Sequence, residues 1–238
     1  MAAVFEKEME ILISMCDREG CLSYPAAFSL FMDAASYHAE ILGIGLKEMT
    51  ERQLFWLTAK TRIEFIKRPR YKDKVVLRTW PEVPDRLRCN RSYEILKDGE
   101  VILRGKTEWV ILNTATNRIE TPEKAYPEWL EFKEGSASPE PFSRISDKLS
   151  AEDYFTYRVS SSDIDVGGHM NNAAYLRAMF GSFSGEEISG RKIREVEAIF
   201  RSSCFEGDCL GFQKEETENG LVFRMHLEDK TIFQALIK

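Results

Sequence analysis

Apolar positions near the start of the chain are packed at helical spacing. Ala26, Ala27, Phe28, Leu30, Phe31, Ala34 and Ala35 follow Pro25, where a first helical turn accepts proline. So continuous an apolar surface predicts a long helix wrapped by other elements rather than laid on them. Beyond it the pattern becomes strand-like. Asp98-Gly99 lies between Arg91–Lys97 and Glu100–Asn113, and Asn219-Gly220 separates Glu215–Glu218 from Leu221–Glu228. Both dipeptides predict tight hairpins. The stretch Ile63–Asn113 leaves no room for crossover helices, so a parallel α/β sheet is excluded and antiparallel strands around a helix are expected.

The chain also matches itself. Tyr24-Pro-Ala-Ala-Phe28 leads a helical run ending at Ile41-Leu-Gly43, and Asn171-Asn-Ala-Ala-Tyr175 leads a similar run ending near Ser189-Gly190. After each run the segments Ile63–Asp73 and Glu197–Gly207 align without a gap, apolar positions largely on apolar positions. Between the halves, Phe132-Lys-Glu-Gly-Ser-Ala-Ser-Pro-Glu-Pro-Phe142 has no periodic apolar face and reads as a linker crossing the surface. The expectation is an α+β protein of two tandem units, 1–140 and 141–238, each a curved antiparallel sheet around a helix.

Composition narrows the function. An apolar fraction of 43% supports a core, and a net charge of −6 argues against general nucleic-acid binding. The start is charged, so neither a signal peptide nor a membrane span is expected. Five cysteines without a C-x-x-C pair read as reduced thiols, which favours the cytoplasm and no metal site or cofactor.

Chemistry concentrates in Asp163-Ile-Asp165-Val-Gly-Gly-His169-Met-Asn171-Asn172-Ala-Ala-Tyr175. Carboxylates, an imidazole and carboxamides gather there directly ahead of a helix start, an apparatus suited to holding water and polarising a carbonyl. Imidazole titrates near neutral pH, so His169 can take a proton from water, while Asp165 either orients the ring or acts as base. Asn171 or Asn172 caps the helix and can donate to a carbonyl oxygen. Gly167 and Gly168 permit close backbone approach, with the Gly168–His169 amides facing an oxyanion. Of the other histidines, His38 falls mid-helix and reads as packed. His226 falls in a strand beside Met225 and Leu227, without a comparable polar entourage.

Helix-first duplicated units carrying D-x-x-G-H-x-N-N-x-x-Y resemble the hot-dog fold, and more specifically the acyl-[acyl-carrier-protein] thioesterases, which carry two such units packed as a pseudo-dimer. The likeness runs from Asp17-Arg-Glu-Gly-Cys-Leu-Ser23 and Phe55-Trp-Leu-Thr-Ala-Lys60 to Ser162–Tyr175 and Phe200-Arg-Ser-Ser-Cys204. It implies hydrolysis of fatty acyl-carrier-protein thioesters, with acyl carrier protein as partner. Two positions depart: Gly167 replaces the family's usual Asn, and Ser203 stands where plant members have an acid.

The resulting catalytic candidates are Asp165, His169, Asn171 and Cys204, the last as a papain-like nucleophile that competes with direct water attack. Substrate candidates are Gly168, Asn172, Phe28, Phe31 and Met32, with Ala35, the last four also fitting plain core. The first half holds Asp17–Tyr24 in the corresponding place without histidine or the Asn pair, so one working site per chain is expected. An acidic carrier needs a basic area, and Lys60, Arg62, Lys67, Arg68, Arg70 and Lys72, then Arg86, Arg88 and Arg91, then Arg191, Lys192 and Arg194 cluster in sequence. An acyl-CoA thioesterase, a non-catalytic acyl-binding module and a hydratase-type enzyme are the competing readings. The arrangement is compatible with pairing into a homodimer.

Overall fold

Ser23 starts the first helix by accepting the Ala26 N–H (3.3 Å), and Pro25 follows within the first turn. This helix, α1, runs Tyr24–Ile41 in the computed structural model, which describes residues 3–146 and 151–238. The chain divides into two units, Met1–Glu140 and Pro141–Lys238.

In the first unit α1 is followed by a short helix α2 (Leu46–Glu51). The strands are β1 (Phe5–Glu10), β2 (Leu54–Phe65), β3 (Lys74–Pro81), β4 (Cys89–Lys97), β5 (Glu100–Asn113) and β6 (Arg118–Glu120). They pair antiparallel in the order β1-β3-β4-β5-β2, with β6 on β5. The helix is not buried all round, as its composition suggests. It buries one broad face, Tyr24, Ala27, Phe28, Leu30, Phe31, Ala34, Ala35 and His38, and leaves Asp33, Ser36 and Tyr37 exposed. Phe31 stacks on Tyr93 of β4 at 4.7 Å between ring centroids. Gly105 of β5 makes room for it: a Cβ there would lie 2.7 Å from the Phe31 ring and 2.5 Å from the Arg62 carbonyl oxygen. Each such fully buried phenylalanine contributes about 1.5–3 kcal/mol. Phe28 and Phe31 are both wholly buried, while Met32 is half-buried.

The segment 132–142 crosses the surface but is tied down rather than free. It has no regular structure, but Ala137 and Ser138 are buried. They lie across the outer face of the sheet, on a row of neighbours in register, Trp80, Ser92, Lys106 and Arg62. Trp80 Nε1 donates to Gly135 O (3.2 Å) and the Ala137 N–H donates to Ser92 Oγ (2.8 Å). Lys106 Nζ and the Arg62 guanidinium donate to Glu140 O (2.9 and 2.8 Å). The Gly135–Pro139 stretch, made of small residues, fits closely over a polar sheet face.

The second unit holds β7 (Phe155–Arg158), α3 (Asn172–Gly181), α4 (Gly185–Gly190), β8 (Glu195–Phe200), β9 (Cys209–Thr217), β10 (Gly220–Leu227) and β11 (Lys230–Ile237). The antiparallel order is β8-β11-β10-β9-β7. Tyr175 of α3 stacks on Phe233 (5.5 Å) and meets Phe200 edge-on (5.8 Å). The expected run to Ser189-Gly190 breaks after Gly181, because Ser184 and Glu187 form a capping box that opens α4. Among the described residues no helix is long and apolar enough to cross a membrane.

Several internal hydrogen bonds of the two units correspond. Ile11 N–H donates to Asp73 O and Lys72 N–H to Ile11 O, while Val159 N–H donates to Asp208 O and Gly207 N–H to Val159 O, all at 2.9 Å. The Arg70 N–H meets Asp73 Oδ2 (2.8 Å) as the Phe205 N–H meets Asp208 Oδ2 (2.9 Å). Asp73 therefore corresponds to Asp208, not to Gly207. The gap-free sequence match is one residue out of register, which in a strand exchanges the two faces.

Candidate active site

The chemistry-bearing segment of the second unit is a closed turn. Asp165 N–H donates to His169 O (2.9 Å), Gly168 N–H to Asp165 O (3.0 Å) and Gly167 N–H to Asp165 Oδ1 (2.8 Å). Gly168 has φ +75°, the left-handed conformation that this turn requires and glycine adopts freely. Met170 N–H then donates to Cys204 O (2.8 Å) and Asn171 N–H to Asp163 O (2.7 Å), pinning the turn to the strand exit and to its own entry. Asn171 is the cap of α3, its Oδ1 accepting the Ala173 N–H at 2.8 Å. Asn172 is the first helical residue.

Asp163 anchors this entry. It is buried and accepts from Ser160 N–H (2.9 Å), Ser160 Oγ (2.8 Å) and Tyr157 OH (2.9 Å). Burial alone would raise its carboxyl, but the Ser160 and Tyr157 hydrogen bonds and the Arg177 charge outweigh it and hold the group below the ordinary carboxylate range. A lowered folded-state value means that its stabilisation is complete above the ordinary carboxylate range and is lost as pH falls through the lowered value. Asp163→Asn is expected to flatten the acid limb of stability against pH, read by urea unfolding between about pH 6 and 3.

Several expected roles change. The Asp165 carboxylate and the His169 ring share one turn, but no hydrogen bond joins them among the described residues; the link between these positions is through the backbone. The Gly168 amide is spent on Asp165 O, so it is not an oxyanion donor, and the Gly167 amide is spent too. Of the amides proposed for polarisation, His169 N–H alone remains uncommitted among the described residues. With Asn171 Oδ1 committed to the cap, its Nδ2 is the face left for a carbonyl oxygen. His169 is half-buried, and its ring lies 5.1 Å from the Phe205 ring, a neighbour to which no local spacing points. Neither ring nitrogen of His169 is hydrogen-bonded among the described residues.

Cys204 belongs to the same corner. It is wholly buried, its N–H donates to Tyr175 OH (3.1 Å), and burial pushes its thiol up to about 11. A thiol so disposed stays protonated and behaves as a small apolar residue. Cys204→Ala is expected to keep more than about half of wild-type kcat while costing ~1 kcal/mol or so of stability, checked by rate and melting temperature together.

The first unit builds the same turn. Asp17 N–H donates to Cys21 O (2.8 Å), Gly20 N–H to Asp17 O (3.0 Å) and Glu19 N–H to Asp17 Oδ1 (2.9 Å), and Leu22 N–H donates to Pro69 O (2.8 Å). Gly20 has φ +70°. The correspondence puts Cys21 where the second unit has His169, Ser23 where it has Asn171, and Tyr24 where it has Asn172. Arg68 stands where the second unit has Ser203. Arg68 pairs with Asp17, contacts Glu19 (3.2 Å) and lies 4.6 Å over the Tyr24 ring. The first turn's carboxylate is thus neutralised. Asp165 has no cation within ion-pair distance among the described residues.

Two other expectations are corrected. His226 does have a polar entourage: Nε2 lies 2.7 Å from Asp153 Oδ1 and Nδ1 lies 2.6 Å from Glu228 O. The pairing joins residues 73 positions apart, so nearby sequence could not reveal it. The basic clusters also shrink. Arg62 and Arg91 are buried, Arg68 is paired as above, Arg88 lies 2.8 Å from Glu108, and Arg191 pairs with Glu216. Lys67, Arg70, Lys72, Arg86, Lys192 and Arg194 stay exposed.

Comparison with known proteins bears on this arrangement. Residues 2–128 match the model of the acyl-ACP thioesterase N-terminal domain and residues 146–237 that of the C-terminal domain. The chain is 25% identical over 218 residues to oleoyl-acyl carrier protein thioesterase 2, chloroplastic, of Arabidopsis thaliana, covering 83% of this chain and 59% of that protein. It therefore spans about three fifths of that relative's length. The fold superposes on an acyl-ACP thioesterase from Bacteroides thetaiotaomicron with a TM-score of 0.89 at 22% identity, covering 99% of this chain and 97% of that one. The 12:0-ACP thioesterase from Umbellularia californica gives a TM-score of 0.85 at 18% identity, with 100% and 97% covered. At these identities the structures establish the fold, two hot-dog units.

Proposed function

Because the chain belongs to the acyl-ACP thioesterase family, we propose that it hydrolyses the thioester between a fatty acyl group and acyl carrier protein, releasing free fatty acid and ending chain elongation. The observation that carries this reading is the contrast between the two turns. Both have the same backbone. The second has exchanged Cys21, Ser23, Tyr24 and Arg68 for His169, Asn171, Asn172 and Ser203, leaving an imidazole without a hydrogen-bond partner and a carboxylate without a cation among the described residues.

In this reading His169 takes a proton from water as the water oxygen attacks the acyl carbon. Asn171 Nδ2 and the His169 N–H donate to the oxyanion, a stabilisation worth roughly 3 kcal/mol per preorganised donor. Collapse of the tetrahedral intermediate breaks the C–S bond, and the departing thiolate takes the proton back from the imidazolium. Asp165 favours the imidazolium by its charge. Fatty acid and carrier thiol leave, and the site returns to its starting state without a covalent step on Cys204.

The loss of Arg62, Arg68 and Arg91 from the exposed basic surface favours a second reading, in which acyl-CoA is the donor. The two separate on rate. Hydrolysis of carrier-linked chains is expected to exceed that of CoA-linked chains by about tenfold in kcat/KM and to fall as salt screens the docking charges. Equal rates on both donors with no salt dependence would assign CoA.

A further inference from the structure

The ring beside His169 occupies a defined place in the repeat. In the first unit Cys21 and Arg70 face each other as an isolated antiparallel bridge. Cys21 corresponds to His169, as above, and Arg70 corresponds to Phe205. Backbone bonds fix the second correspondence. The Arg70 and Phe205 N–H groups each donate to an aspartate Oδ2, of Asp73 and Asp208 respectively (2.8 and 2.9 Å). The Asp73 N–H donates back to Arg70 O (3.0 Å), and the Asp208 N–H to Phe205 O (3.2 Å). Next to these, Leu22 N–H meets Pro69 O and Met170 N–H meets Cys204 O, both at 2.8 Å. His169 and Phe205 thus hold facing places, where side chains of an antiparallel pair lie on one side and touch.

The two units fill this pair differently. The first has a thiol opposite an exposed arginine. The second has two rings, with centroids 5.1 Å apart and planes tilted by 50°. Phe205 is 54% exposed, so its ring adds little to the core. Its backbone is tied at both N–H and C=O, which gives the ring a firm base. His169 has no hydrogen bond at either ring nitrogen among the described residues, so no polar partner sets its orientation. Its one ring contact among them is with Phe205. An unrestrained imidazole has three χ1 wells and a broad, twofold χ2, about six orientations in all. Only some of these aim a nitrogen lone pair at a given water, and a general base works only when it is so aimed.

We propose that Phe205 is a positioning residue, whose ring packs on the His169 imidazole and holds it in the orientation that takes the proton from water. The chemical consequence rests on the thioesterase reading, whereas the orientation is a property of the folded chain. Phe205 acts through His169 alone. Turnover scales with the fraction of molecules that hold the competent orientation, so freeing the ring lowers kcat by about three- to tenfold and leaves KM within about twofold.

The test compares wild type, Phe205→Ala and Phe205→Tyr as full-length proteins. Melting temperature is measured with kcat and KM on an acyl-carrier-protein thioester. Proton NMR of the free proteins follows the carbon-bound imidazole protons of His169, assigned by their absence in His169→Ala. Phe205→Ala is expected to melt close to wild type and to show the kcat loss without a matching rise in KM. Its His169 signals should move toward those of a free histidine, because the aromatic ring current is gone. Phe205→Tyr restores the ring, and both kcat and the NMR signature should return toward wild type. Wild-type kcat in Phe205→Ala, with His169→Ala inactive, overturns the proposal and leaves the thioesterase reading standing. A loss confined to KM also overturns it and assigns Phe205 to substrate contact. His169 signals that are the same in all three proteins overturn it irrespective of rate. A wild type that hydrolyses nothing overturns the enzymatic reading instead, and the NMR comparison then decides whether Phe205 holds the ring.

Discussion

His169→Ala is expected to lower kcat on an acyl-carrier-protein thioester by about 10²–10⁴-fold, the usual contribution of a positioned general base. The fold should tolerate it. The ring makes no hydrogen bond among the described residues and its packing partner, Phe205, is 54% exposed, so melting should move little. KM is expected to change less than kcat, because the imidazole acts on water rather than on the acyl chain. His169→Asn, which keeps a donor but cannot take the proton, should be as slow as the alanine variant. His38→Ala and His226→Ala act as controls: both disturb packed or paired rings, so they lower stability and leave turnover per folded molecule unchanged. A His169→Ala enzyme with near-wild-type kcat would remove this imidazole from the mechanism and leave Asp165 as the base.

The gross architecture was legible because each element carries a local signal. Pro25 behind Ser23, the apolar face from Ala27 to His38, and the Asp98-Gly99 and Asn219-Gly220 turns act within a few residues, and all stand in the structure where those signals place them. The break between α3 and α4 was also local, in Ser184-Gly-Glu-Glu187, but it was masked by the apolar run before it. What escaped reading depends on distant partners. Segment 132–142 is held on the sheet through bonds to Arg62, Ser92 and Lys106, which lie tens of residues away in sequence. The same holds for Asp153 with His226. The site was half visible: residue types and the capping role of Asn171 follow from spacing, whereas the use of the Gly167 and Gly168 amides inside the turn does not. Similarly, the one-residue register error arose because apolar matching compares side chains, while the repeat is conserved between the units in backbone hydrogen bonds.

Ser203→Arg is expected to silence the enzyme while leaving its fold intact. The first unit supplies the reason, since its Arg68 occupies the corresponding position and engages the carboxylate of an otherwise equivalent turn. A guanidinium at position 203 can make the same ion pair with Asp165 Oδ2, the oxygen not committed to the Gly167 N–H. It would withdraw the charge that favours the imidazolium beside it and crowd the water path. A loss of about 10–100-fold in kcat is expected, corresponding to roughly 1.4–2.7 kcal/mol of transition-state stabilisation. Stability should move the other way, by about 0–1 kcal/mol in favour of the variant, as for a partly exposed ion pair. Added salt restores part of the rate by screening the pair. Ser203→Ala makes no such pair and should retain wild-type turnover, which separates charge from loss of the hydroxyl. A folded Ser203→Arg protein with unaltered kcat and pH profile would show that Asp165 takes no electrostatic part in turnover, and the difference between the two turns would then rest on His169 and Asn171 alone.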